Sequence, residues 1–147
     1  MTLKKISIIS PTYNEENNII SLHEKVKEVI KEFKYNFEFI YIDNKSTDTT
    51  REKLLSLAKN DKSVKLIFNT RNFGHIRSPY YGIIQTSGDA TIYLASDFQD
   101  PPELIPEFIK SWEDGFKLVS GVRKKTQSKN IYMNKLRSIY YKFLNYI

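Results

Sequence analysis

The order of apolar and polar positions alternates short strand-like runs with helical ones. Apolar runs rich in β-branched and aromatic residues predict five strands, at residues 4–10, 37–42, 64–68, 91–95 and 116–120. The period of an amphipathic helix is clearest from Glu15 to Phe33, where apolar residues recur at three- and four-residue steps. Further helices are predicted at residues 49–59, 78–87 and 100–114.

Strands that alternate with helices predict an α/β fold, with a mostly parallel sheet and helices on both of its faces. In open sheets of this kind, ligands bind outside the carboxyl ends of the strands. Segments that follow four of the predicted strands hold nearly all of the chain's unusual polar residues: 11–15, 43–46, 69–74 and 96–99. The sequence therefore predicts a binding site where these segments meet.

Asp97 and Gln99, which follow the fourth predicted strand, are candidate metal ligands. A divalent ion bound to a diphosphate needs only one or two protein carboxylates, because phosphate oxygens and water complete its octahedron. Residues two apart on an extended strand end point to the same side, so the sequence predicts that both hold one Mg²⁺ or Mn²⁺ ion. Asp100 is better explained as the N-cap of the last helix, with Pro101 in its first position.

The segments after the first two strands offer contacts for a nucleotide. The Tyr13 ring can stack on a nucleobase, and the Glu15 carboxylate can accept hydrogen bonds from a base or ribose. A proline turn that leads into a helix explains the same segment equally well. Asp43 and Asn44 are suited to reading the edge of uracil or guanine, whereas the Ser and Asp within residues 46–48 are better explained as caps of the second helix.

The net charge of +6 is concentrated at the C-terminus. Residues 121–147 carry seven basic side chains and no acidic one, whereas residues 1–120 are nearly balanced. Residues 128–147 also place apolar and aromatic side chains along one side of a predicted helix. Such a helix is suited to an anionic membrane surface, and packing on its own domain or on a partner chain is the alternative. Nucleic-acid binding is not expected, because no nucleic-acid-binding signature accompanies the charge.

Several classes of protein are excluded by composition. The chain has no cysteine, which excludes disulfides and thiolate zinc sites. His75 has no second histidine at ligand spacing, and no glycine-rich phosphate loop is present, which argues against zinc enzymes, ATPases and NAD enzymes. We find no signal-peptide pattern and no apolar run near the ~20 residues that span a bilayer. We therefore expect a cytoplasmic protein, with any membrane association peripheral and at the inner face.

Five segments, in order and at family spacing, resemble the family 2 inverting glycosyltransferases. They are Pro-Thr-Tyr-Asn-Glu at 11–15, Ile-Asp-Asn-Lys-Ser-Thr-Asp at 42–48, Arg-Asn-Phe-Gly-His at 71–75, Ser-Gly-Asp at 87–89 and Ser-Asp-Phe-Gln-Asp-Pro-Pro-Glu at 96–103. The chain is most similar to polyprenyl- and dolichyl-phosphate sugar synthases and to bacterial surface-polysaccharide transferases. The resemblance implies a GT-A fold, a UDP- or GDP-sugar donor, a divalent metal, and inverting transfer to a lipid-linked phosphate or a polysaccharide.

The resemblance also implies roles for particular residues. Donor-nucleotide contacts fall at Pro11, Tyr13, Glu15, Ile42 and Asn44, diphosphate contacts at Ala95, Ser96 and Asp97, metal ligation at Asp97 and Gln99, and a phosphate contact at Arg123. Residues 1–123 would form the nucleotide-sugar-binding domain. Residues 124–147 would form a basic amphipathic helix, and the acceptor-side half of the family would follow Ile147.

Departures from the family pattern leave three questions open. Asp43-Asn44-Lys45-Ser46 stands where the family commonly has Asp-Asp-Gly-Ser, so the base of the donor is not defined. Ala95 replaces the first carboxylate of the usual Asp-x-Asp, and residues 76–81 replace a small apolar helix start. No side chain stands out as a general base, so no catalytic residue is assigned and a phosphate acceptor is favoured over a hydroxyl. The alternative is a truncated or degenerate module that binds the donor without turnover.

Overall fold

Four parallel strands form one sheet in the computed structural model, which describes residues 3–122. The strands are β1 (Lys5–Thr12), β2 (Asn36–Asp43), β3 (Val64–Phe68) and β4 (Ala90–Tyr93), in the order β3-β2-β1-β4. In the register of the sheet, Ile9 lies opposite Ile40 of β2 and Tyr93 of β4. β1 and β2 are buried along most of their length, as expected for parallel strands covered on both faces.

Within residues 3–122, four α-helices connect and cover the strands. They are α1 (Ile19–Ile30), α2 (Thr50–Asn60), α3 (Gly74–Ile84) and α4 (Ile105–Glu113), the last preceded by a 3₁₀ turn at Pro102–Leu104. No helix within residues 3–122 is long and apolar enough to cross a membrane.

Hydrophobic side chains pack on both faces of the sheet, and one of these two clusters is larger than the other. On the face with the larger cluster, α1, α2 and α4 pack against alternate residues of the central strands, including Ile8, Phe39 and Tyr41. On the opposite face Ile9, Ile40 and Ile42 form a smaller cluster, and Gly82 places α3 directly against it. The alternation follows from the two-residue period of a strand and gives the sheet helices on both faces, as the sequence predicted.

The first four predicted strands and the four helices predicted within residues 3–122 are present, but α3 and α4 begin differently from the prediction. The sequence placed the start of α3 at residue 78. The helix instead begins at Gly74 and includes Pro79 in its interior. The prediction that Asp100 caps the last helix is wrong. Pro101 is extended ahead of the 3₁₀ turn, because a residue that precedes a proline disfavours the helical conformation.

The predicted fifth strand at residues 116–120 is also wrong, since these residues have no regular structure. A strand needs a hydrogen-bonding partner. Here the outer edge of β4 is separated from residues 115–122 by a groove of about 1120 Å³, lined also by α4. Arg123, the domain boundary at 123/124 and the helix predicted at 128–147 lie outside the described residues.

Candidate functional site

A cleft of about 340 Å³ lies at the carboxyl ends of β1, β2 and β4. The loop before α3 and the first turns of that helix form its remaining wall. Seven of the residues singled out in the sequence line this cleft: Pro11, Tyr13, Glu15, Asn44, Ala95, Ser96 and Asp97. The structure therefore brings together strand ends as far apart in the chain as Thr12 and Tyr93, as the carboxyl-end rule predicted.

The segments after β1 and β2 are fixed against each other. Asn14 adopts a left-handed backbone with φ of 57°, and its Oδ1 accepts a hydrogen bond from Thr47 N at 2.8 Å. Asn14 N donates to Ser46 Oγ at 2.9 Å, so Ser46 joins the two loops rather than capping α2. Asp48 lies one residue before the N-cap, Thr49, and its Oδ1 accepts from Thr50 N at 3.0 Å, so it supports the start of α2 without being the predicted cap.

Tyr13 and Glu15 present different surfaces to the cleft. The Tyr13 side chain is 47% exposed, which leaves a ring face available for stacking. Glu15 is held more tightly, because its Oε2 accepts from Asn18 Nδ2 at 2.7 Å and its carbonyl accepts from the backbone at the start of α1. A carboxylate held in this way keeps further acceptor capacity for a ribose or base.

Ile42 and Asp43 are fully buried and do not line the cleft. The Asp43 carboxylate accepts from Ser46 N at 3.2 and 3.3 Å and lies 3.7 Å from Arg51 Nε. It thereby closes the turn after β2, in which Lys45 has a φ of 68°. The donor contacts of these two residues stay predictions, and the visible role of Asp43 is to shape the turn.

Ser96 attaches the end of β4 to the end of β1. It is buried, its hydroxyl donates to the Pro11 carbonyl, and it lies 3.0 Å from Ser10 Oγ. The next residue, Asp97, is exposed in the cleft. Since Ser96 ties the loop to the buried strand β1, the position of Asp97 is set by the sheet.

Asp97 and Gln99 line different cavities. Phe98 between them is left-handed, with φ of 59°, and Gln99 N donates to Asp97 Oδ1 at 3.0 Å, so the segment is a tight turn. The expectation of an extended strand end is therefore wrong. Asp97 faces the cleft, whereas Gln99 lines the groove beside α4. That Asp97 and Gln99 share one metal ion stays a prediction. Of the two residues, Asp97 is the one whose position in the cleft suits a metal ligand.

A divalent metal fits this cleft as a partner of the substrate rather than as a resident ion. Within residues 3–122 there is no group of three or more His, Cys, Asp or Glu side chains that could hold a metal ion. One exposed carboxylate, Asp97, together with phosphate oxygens is the ligand set that Mg²⁺ typically uses. Glu15 and Asp97 both bring negative charge to the cleft, so a diphosphate needs a cation to enter it.

Two lining residues were missed as site residues in the sequence. Tyr93 lies at the end of β4, and burial, followed by the nearby charges of Asp100 and Asp97, raises the pKa of its phenol. It therefore stays a hydrogen-bond donor at neutral pH. Its spacing, two residues before Ala95 and four before Asp97, was the available signal. His75 also lines the cleft, and its place directly after the loop that follows β3 could have identified it.

Comparison with known proteins defines the family. Residues 7–147 match the sequence profile of Glycosyl transferase family 2. The chain therefore belongs to that family, and the resemblance of the five motifs is confirmed.

Two relatives illustrate the family. The undecaprenyl-phosphate 4-deoxy-4-formamido-L-arabinose transferase of Serratia proteamaculans is 34% identical over 126 residues, which are 85% of this chain and 39% of the relative. The bactoprenol glucosyl transferase of Shigella phage SfX is 34% identical over 143 residues, or 97% of this chain and 47% of the relative. This chain thus spans less than half the length of either relative.

The fold matches a solved glycosyltransferase. The mannosyltransferase PcManGT of Pyrobaculum calidifontis, solved with GDP-Man and Mn²⁺, superposes with a TM-score of 0.62 at 22% sequence identity. The match covers 84% of this chain and 36% of the mannosyltransferase. The predicted GT-A fold is confirmed by this likeness.

Proposed function

We propose that this chain forms the donor-binding part of a metal-dependent, inverting glycosyltransferase that moves a sugar from a nucleotide diphosphate to a lipid-linked phosphate. The observation that carries the proposal is the cleft at the strand ends. There, in a chain of family 2, an exposed tyrosine and two carboxylates lie around a single cavity. GDP-Man and Mn²⁺ in the structurally similar mannosyltransferase support this choice of donor and metal.

Each lining residue has a role that its chemistry suits. The exposed ring of Tyr13 stacks on the base, and Glu15 accepts from the base or ribose. The small side chain of Ala95 allows the diphosphate to approach the backbone beside Ser96, and Tyr93 donates a hydrogen bond to a phosphate oxygen. When bound at Asp97, Mg²⁺ or Mn²⁺ neutralises the charge on the departing diphosphate.

The acceptor is proposed to be a phosphate for a chemical reason. A phosphate is already ionised at neutral pH, so it attacks without a strong general base, whereas a sugar hydroxyl needs one. Undecaprenyl phosphate in the name of one relative and bactoprenol in that of the other support the same choice. A glycan acceptor would instead draw on His75, the one imidazole among the described residues that line the cleft.

A transfer assay tests the proposal directly. The chain is incubated with UDP- or GDP-sugars, Mn²⁺, and either a short polyprenyl phosphate or an oligosaccharide. Transfer to the phosphate acceptor is expected, with activity retained within about threefold in His75→Gln because no base is needed. Transfer only to the oligosaccharide, abolished by His75→Gln, would overturn the choice of acceptor.

A second candidate function is donor binding without turnover. It is favoured by Ala95, which leaves the site one carboxylate short of Asp-x-Asp. The same assay separates the two functions, because a module of this kind would bind the nucleotide and transfer no sugar.

We also propose that residues 128–147 contact an anionic membrane surface next to a lipid acceptor, as a segment separate from the donor-binding domain at 1–123. The basic and aromatic composition of that segment supports this role. Binding to vesicles that contain phosphatidylglycerol should fall with salt and disappear when 128–147 are deleted. Binding that survives the deletion would contradict it.

A further inference from the structure

Asn44, directly after β2, uses its whole side-chain amide within the protein. Its Oδ1 accepts from Phe73 N at 2.9 Å and from Asn69 Nδ2 at 3.2 Å. Its Nδ2 donates to Asn72 Oδ1 at 2.8 Å and to the Gly74 carbonyl at 3.3 Å. An amide has two donor hydrogens and two acceptor lone pairs, so these four bonds saturate it.

The backbone fixes which end of the amide is which. Phe73 N can only donate and the Gly74 carbonyl can only accept, so the oxygen of Asn44 must face the first and the nitrogen the second. An aspartate at this position, as in the common family pattern, would place a carboxylate oxygen against the Gly74 carbonyl and Asn72 Oδ1. Asn at this position, where the family commonly has Asp, therefore matches the donors and acceptors that residues 69–74 supply.

All four partners belong to residues 69–74, the loop between β3 and α3. Asn72 and Gly74 line the cleft, and Gly74 leads into α3 with a φ of 82°. Asn72 Oδ1 also accepts from Gly74 N at 2.8 Å, which tightens the same turn. Since Asn44 is only 7% exposed, its position is set by the end of β2, and through it the loop is fixed relative to the sheet.

We propose that Asn44 is a positioning residue, which holds the 69–74 loop as one wall of the donor cleft and does not read the base itself. The role in donor binding rests on the proposed function, whereas the role in holding the loop does not. Selectivity between bases then lies with other lining groups, because Asn44 has no hydrogen-bonding capacity left for a ligand.

Amide hydrogen exchange of the unliganded chain tests the positioning role without any ligand. Asn44→Asp should speed exchange at Phe73 and Gly74 by about tenfold or more, because the two bonds that Nδ2 donates are lost and a carboxylate oxygen then faces the Gly74 carbonyl and Asn72 Oδ1. Asn72→Asp is the matched variant, since it makes the same chemical change but keeps the Oδ1 that accepts both bonds, and should stay within about twofold of wild type. Equal exchange in Asn44→Asp and wild type would overturn the proposal.

Nucleotide titration then separates positioning from base reading. With Mn²⁺ present, Asn44→Asp should weaken UDP and GDP by the same factor, about fivefold to twentyfold, and leave their ratio unchanged. Asn60→Asp, an exposed change at the far end of α2, should leave both affinities unchanged. A reversal of the UDP-to-GDP preference in Asn44→Asp would show direct base reading and contradict the proposal.

Two further outcomes are also decisive. If wild type binds neither nucleotide, the proposed function fails, and the exchange comparison alone decides whether Asn44 positions the loop. If Asn44→Asp does not fold, Asn44→Ser shortens the side chain and removes its bonds to the loop without a buried charge. It should then show the faster exchange at Phe73 and Gly74, and its absence would overturn the proposal.

Discussion

Gly88, in the Ser-Gly-Asp segment that first pointed to the family, serves the packing of the sheet. Its backbone N donates to Ser7 Oγ at 2.9 Å, while Asp89 Oδ2 accepts from Lys5 N at 2.8 Å. A Cβ added to Gly88 would lie 2.6 Å from Ser7 Oγ and 2.8 Å from both Ser7 N and the Ala90 carbonyl. The segment thus attaches the turn before β4 to β1, and neither residue lines the cleft.

Gly88→Ala should therefore destabilise the protein by about 1–3 kcal/mol, because two of the three close atoms belong to the backbone and cannot move aside. Urea unfolding followed by circular dichroism measures the change in free energy. Gly121→Ala is the matched control, since the nearest atom to an added Cβ there is a Phe108 ring carbon at 3.4 Å. Equal stability of the two variants would contradict this role for Gly88.

At the scale of elements, one buried carboxylate joins three strands and a turn. Glu38 of β2 accepts from Ser7 Oγ of β1 at 2.5 Å, from Lys65 Nζ of β3 at 2.6 Å, and from Ser87 N at 2.8 Å. Burial by itself raises the pKa of Glu38, but the hydrogen bonds from Lys65, Ser7 and Ser87 outweigh it and lower the pKa to about 2.

The lowered pKa predicts a particular dependence of stability on pH. The unfolded carboxyl titrates near its ordinary 4.5, so the ionised Glu38 stabilises the fold above that pH, and this contribution is lost as the pH falls towards 2. Between about pH 6 and about pH 3 the advantage of wild type over Glu38→Gln should shrink by about 2 kcal/mol.

Urea unfolding of both proteins at the two pH values checks this expectation. Glu32→Gln removes an exposed carboxylate from the segment after α1 and serves as the control. Its difference from wild type should stay within about 0.5 kcal/mol at both pH values. A Glu38→Gln difference that does not vary with pH would show that the network does not depend on the ionised form.

Elements whose signal is local could be predicted, and those that depend on a distant partner could not. The apolar runs of β1 to β3 and the helical period of α1 each carry their own pattern, and all are present. Residues 116–120 carry an equally good strand pattern but lack a paired neighbour. The predicted start of α4 was wrong for a local reason. Pro102 forces the preceding residue, Pro101, into an extended conformation.

At the scale of the molecule, the location of the site was predictable, but its turns and hydrogen bonds were not. The carboxyl-end rule placed four loops together, and the structure gathers seven of the chosen residues in one cleft. The turn at Phe98 that separates Asp97 from Gln99, and the four bonds that saturate Asn44, depend on backbone geometry that no spacing in the sequence reveals.

The central claim is that the cleft binds a nucleoside diphosphate through a metal held at Asp97. Calorimetric titration of UDP and GDP, in Mn²⁺ and in EDTA, tests it most directly on wild type, Asp97→Asn and Gln99→Ala. At least one nucleotide should bind wild type about tenfold or more tighter with Mn²⁺, and Asp97→Asn should abolish that difference. Gln99→Ala should largely keep it, because Gln99 lines the other groove, and a loss equal to that of Asp97→Asn would restore Gln99 as the second ligand.

Metal-dependent binding that requires Asp97 is the expected result. Binding of both nucleotides with equal affinity in Mn²⁺ and EDTA, or a Mn²⁺ effect that survives in Asp97→Asn, would contradict it.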